Sequence, residues 1–140
     1  MNFIPKTLLK KLYTRGSLTK AEGGFTFNIK NRLIDVQLKG MDKLELEGVE
    51  VSKDAIFADL GDGKWLSARE INDQKGFHFK LGKSFNVLVK SQLNGQENLK
   101  LNFKFDTSPF GRLNFEVKDQ LNEHKIEREV KIPRIHGDDY

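Results

Sequence analysis

Apolar and polar residues alternate along most of this chain, and the places where the alternation slips divide it into elements. In GFTFNIKNRLIDVQLKG, residues 24–40, Phe25, Phe27 and Ile29 hold the odd positions, whereas Ile34, Val36 and Leu38 hold the even ones. A period of two marks a strand with one buried face, and a slip of one residue turns every side chain to the other face. To bury both halves, the chain must bulge, turn or cross to a facing sheet at Lys30-Asn31-Arg32-Leu33. A two-residue hairpin at Asn31-Arg32 is the competing reading. Its favoured turn types want positive φ at the central positions, which Asn tolerates and Arg does not. A bulged bend or a sheet-switching corner is therefore expected.

The same period predicts strands over residues 24–30, 33–38, 43–46, 49–51, 55–60, 64–67, 77–81, 85–90, 99–105, 112–117 and 126–132. Glu47-Gly48 suits a tight hairpin, and Gly61-Asp62-Gly63, Gly82-Lys83 and Asn94-Gly95 are turn signals. Helical spacing occurs once, in Ile4, Leu8, Leu9 and Leu12, with Pro5 fit for a first turn and Gly16 for a stop. It predicts one short helix over about residues 5–13. Many short strands without a βαβ rhythm predict an all-β chain. The expected architecture is a single-domain antiparallel β-sandwich over residues 1–132, or alternatively a partly open barrel, followed by a polar tail at 133–140.

Composition sharpens this reading. A chain of 140 residues is the size of one domain and buries about two thirds of its unfolded surface. Eleven Phe against one Trp and two Tyr favour β structure. The net charge of +4, from 24 basic and 20 acidic residues, falls short of a nucleic-acid signature. The absence of cysteine excludes disulfides, thiol nucleophiles and cysteine-based zinc sites. No apolar run reaches the roughly 18 residues of a membrane span, and MNFIPKTLLKKLY lacks the apolar centre of a signal peptide. A cytoplasmic, soluble protein is the expectation.

Candidate chemistry is sparse. His78 alternates with Phe77 and Phe79 and so points away from their face; with Trp65 it is a candidate ligand contact. His124 lies in a polar turn, and His136 with Asp138 and Asp139 could clamp a metal but belongs to a solvated tail. There is no G-x-S-x-G, and Asp59–Lys64 lacks both the Walker spacing and the hydroxyl residue after Lys. Lys75-Gly76-Phe77-His78-Phe79 starts like an RNA-recognition strand and then departs from it at Lys80 and Gly82. Ser108-Pro109-Phe110-Gly111-Arg112 sets an aromatic between Pro and Gly at a turn. Phe110 there either plugs the end of the sandwich or, with Arg112, anchors a partner.

Several of these pieces stand together in one family. Ile4-Pro5-Lys6, Leu12-Tyr13, Gly16-Ser17-Leu18, the run Gly24–Leu33, Leu38-x-Gly40, Leu46–Val51 and Pro109–Asp119 are similar, in that order, to small proteins of the C-glycoside deglycosidase β-subunit type. The resemblance covers about half the chain and leaves out residues 60–105. It implies a compact sandwich paired in a hetero-oligomer with a larger (β/α)8-barrel subunit, which would hold the divalent metal and the acid–base residues. No catalytic residue, cofactor or metal would belong to this chain. Short proteins of this look have also been labelled hydroxymethylglutaryl-CoA reductase, yet the chain carries no cofactor-binding glycine motif and no catalytic set, and is too short for that activity.

The expected function is thus a non-catalytic small subunit of a sugar-modifying complex. Its partner surface would include the bend at Asn31 and Arg32 and the turn at Phe110 and Arg112; self-association is a further option. The alternative is a stand-alone binding module for carbohydrate or nucleic acid, the latter disfavoured by the modest charge.

Overall fold

A short helical stretch lies near the start of the chain in the computed structural model, which describes residues 4–61, 63–72 and 76–122. Lys6–Leu9 form α1, which tightens into a 3-10 turn over Lys10–Leu12. Pro5 precedes it in extended conformation, and its carbonyl accepts from the amides of Leu8 and Leu9. Leu9 and Leu12 are buried while Leu8 is exposed. The helix is shorter than its sequence period because Tyr13 is already extended and bridges to Ile29.

Ten strands follow among the described residues: β1 (Thr19–Ala21), β2 (Gly24–Lys30), β3 (Val36–Leu46), β4 (Val49–Glu50), β5 (Ile56–Asp59), β6 (Trp65–Ser67), β7 (Phe77–Phe79), β8 (Ser84–Lys90), β9 (Asn98–Ser108) and β10 (Gly111–Gln120). One sheet has the order β1-β2-β8-β5-β6 and the other β10-β9-β3-β4, with β7 also paired to the start of β3. Every strand pairing is antiparallel. The sheets are separate and open-ended, a sandwich rather than a barrel. No helix among the described residues is long and apolar enough to cross a membrane. The expected strand at 126–132 and the tail with His136, Asp138 and Asp139, like His124, lie outside the described residues.

The phase change between residues 29 and 36 is a sheet-switching corner: β2 lies in the first sheet and β3 in the second. The second run starts later than its pattern implies, since Ile34 is 46% exposed and Val36 is the first inward residue. Further on, β3 slips against β9 between Leu38 and Gly40 and again between Met41 and Lys43. Each slip is a bulge that adds a residue and reverses the facing. The buried set of β3 is accordingly Val36, Leu38, Met41, Leu44 and Leu46, so the two strands expected at 33–38 and 43–46 are one.

Phenylalanines join the sheets. Phe27 of β2 meets Phe103 of β9 edge to face with ring centroids 5.4 Å apart, and Phe79 of β7 lies 5.1 Å from Phe85 of β8. Such pairs add about 0.5–1.5 kcal/mol to their burial. Tyr13 packs on Phe27 and Phe103, and its hydroxyl donates to Asp119 Oδ2 at 2.7 Å. Burial first, then that carboxylate, push the phenol well above its ordinary range.

The segment after the helix covers the end of β10, whose outer edge has no strand neighbour among the described residues. Arg15 Nη1 donates to the Lys118 carbonyl and the Gly16 amide to Asp119 Oδ2. Asn122 donates to the Leu18 carbonyl and accepts from the Lys20 amide. Covering an edge in this way removes a template for unwanted pairing.

Candidate functional site

The corner is built on one side chain. Asn31 is 1% exposed, and both ends of its amide are occupied. Nδ2 donates to the carbonyls of Ile34 and Phe79, each at 2.8 Å, while Oδ1 accepts from the amides of Leu33 (3.0 Å) and Ile34 (3.2 Å). Its backbone amide donates to the Lys83 carbonyl, and its own carbonyl accepts from Gly82. A short amide can replace a strand ladder in this way because it offers two donors and an acceptor within reach of its own backbone. Asn31 therefore shapes the surface from beneath.

Arg32 is exposed but held: Nη1 donates to the Lys11 carbonyl at 2.7 Å and Nη2 to Thr14 Oγ1 at 3.0 Å. It ties the corner to the helical segment. Ile34 in the corner, Leu81, which is 57% exposed, and Leu8 on α1 are three of the four large hydrophobic side chains markedly exposed among the described residues. Leu81 is set beside the corner by a bond from its amide to Asp35 Oδ1 at 2.6 Å. Nothing in the strand pattern marked Leu81 or Leu8 as surface residues; Leu81 counts as the end of a strand and Leu8 as a helix-face residue.

A narrow cavity of about 20 Å³ runs inward from Ile4, Leu33 and Ile34 between the sheets to Phe79, Phe105 and Leu113. It is room for about one water-sized guest and far below a ligand pocket of about 300–1,000 Å³. Thr107 and Asn31 also line it, which places the β9–β10 turn at the same end, since Thr107 Oγ1 donates to the Gly111 carbonyl. Within that turn Phe110 is half-buried against the core. Arg112 is exposed on the outer face and its Nε lies 3.0 Å from Asp42 Oδ2. The structure thus brings Asn31, Arg32 and Phe110 to one end of the sandwich, with Arg112 at its margin.

Trp65 and His78 are not brought together. Trp65 stands opposite Asp59 at the end of an outer row, Asn28–Asn86–Asp59–Trp65, across the first sheet. Its indole N–H is buried and meets no acceptor among the described residues. His78 lies opposite Gln37 on β7 and is exposed. Among the described residues no three His, Asp or Glu side chains are grouped to hold a metal.

A family model described as hydroxymethylglutaryl-CoA reductase, N-terminal domain, matches residues 8–122. No curated protein matches the chain. The match overturns the resemblance to C-glycoside deglycosidase β subunits and, with it, the sugar-modifying complex. The reason is physical: each piece of that resemblance is a strand period or a glycine turn that any sandwich of this topology requires. The grounds for a (β/α)8-barrel partner fall with it.

Proposed function

The chain belongs to the family of hydroxymethylglutaryl-CoA reductase N-terminal domains, and from that membership we propose that it is a non-catalytic docking domain for a reductase-like catalytic part. The observation that carries this reading is the corner end of the sandwich. Leu8, Ile34 and Leu81 are exposed there on segments held in place by Asn31, Arg32 and Asp35. Apolar side chains on a fixed backbone lose little entropy when covered, and burying an Ile or Leu fully is worth about 1.5–3 kcal/mol. A few such residues dominate the affinity of a typical interface.

The test is calorimetric titration of the chain with the catalytic part of the reductase-like protein it accompanies. Ile34→Asp and Leu81→Asp should each weaken association by about tenfold or more. Unchanged affinity in both variants overturns the reading, and so does turnover of hydroxymethylglutaryl-CoA by the chain alone.

A further inference from the structure

We propose that the groove between the β7–β8 turn and the Leu60-Gly61 loop is a binding site for a small anion bearing phosphate or carboxylate groups. The groove encloses about 530 Å³, within the range of small-molecule sites. Its lining includes His78, Lys80, Lys83 and Ser84, with Leu60 and Phe77 as apolar wall, and no acidic residue among the described residues. Neither lysine has an ion pair among the described residues.

Two described carboxylates near the groove each engage backbone amides through one oxygen. Asp35 Oδ1 accepts from the Leu81 amide, and Asp59 Oδ1 accepts from the amides of Gly61 and Gly63 at 3.0 and 3.1 Å. Like charges gathered in a concave site without a counter-ion produce a positive potential that an anion relieves. Lysine and histidine are also suitable donors to phosphate and carboxylate oxygens.

The turn is set before any ligand arrives. The Lys83 amide donates to the Lys80 carbonyl at 3.0 Å, and the turn is bonded on both sides to the Asn31 backbone, at 2.8 and 2.9 Å. β7 fixes His78 outward by pairing it with Gln37, while Phe77 stands edge-on to Phe85 at 89°. The cations are thus presented from a braced backbone, with an aromatic beside them for the organic part of the ligand.

The experiment is an amide-resolved NMR titration of the chain at low salt with inorganic pyrophosphate and, separately, citrate. Saturable shifts confined to residues 60–61 and 77–84 are expected. Tighter binding of pyrophosphate assigns a phosphate ligand, and tighter binding of citrate a carboxylate one. Lys80→Ala and Lys83→Ala should each weaken binding about tenfold, the worth of one charge-assisted contact, while Lys83→Arg retains it. Ile34→Ser, which adds no charge, should leave anion binding unchanged. Failure of both anions to saturate, or wild-type affinity in both alanine variants, overturns the proposal.

Discussion

Asn31 decides how the two sheets are joined, and the arithmetic of its bonds shows why a strand pattern can reverse there. Four side-chain hydrogen bonds converge on an amide that is almost fully buried. Asn31→Ala leaves two carbonyls and two amides to find other partners, and an unmet buried group costs about 1–3 kcal/mol. We expect a loss of about 3 kcal/mol in urea unfolding, with the slope against denaturant unchanged. Tyr13 is another residue whose polar atom sits deep in the structure. Its phenol titrates above the ordinary value in the folded chain, so the folded state keeps a proton that the unfolded state releases near pH 10, roughly. That stabilisation is whole below about pH 10 and fades as pH rises beyond it. Tyr13→Phe should cost about 1–2 kcal/mol at neutral pH and flatten the alkaline fall in melting temperature.

Among the elements, the pairing of β2 with β8 is the tightest to alter. A methyl group at Gly24 would collide with the Val89 carbonyl oxygen across the ladder. Gly24→Ala should therefore push the strands apart and cost about 2–3 kcal/mol, as overpacking does, read as a drop in melting temperature. Both strands were legible in the sequence because Phe25, Phe27, Ile29, Phe85, Val87 and Val89 keep the period without interruption. Leu88, between Val87 and Val89, is also buried although it faces the outer side beside Thr26 and Phe57. β3 was legible only in halves, since two bulges break its period at Lys39 and Asp42. β1 gave no signal: Thr19, Lys20 and Ala21 form a short edge strand held by backbone bonds, and neither face is fully buried. The Glu47-Gly48 hairpin was readable from its glycine. That Glu47 itself takes a φ of 53° was not; its carboxylate accepts from the Lys100 amide at 2.7 Å, an anchor outside the turn.

For the molecule as a whole, topology was readable where function was not. Strand period and turns yield a sandwich, but they do not say which ends meet. That Ile34, Leu81 and the β9–β10 turn share one end depends on contacts between segments far apart in the chain. The lysine groove likewise joins residues 60–61 to 77–84, with no motif to announce it. At this scale Ile34→Asp should change association and nothing else, with a melting temperature within about 2 °C of the parent, because surface substitutions rarely exceed about 0.5 kcal/mol. The bond from Tyr13 to Asp119 spans 106 positions. A ribosome adding about 5–20 residues per second exposes Tyr13 some 5–20 s before the acceptor for its hydroxyl has been made. Until β10 emerges, nascent β2 must shelter its phenyl rings without a finished opposite sheet, a window in which a holding chaperone would have most to do.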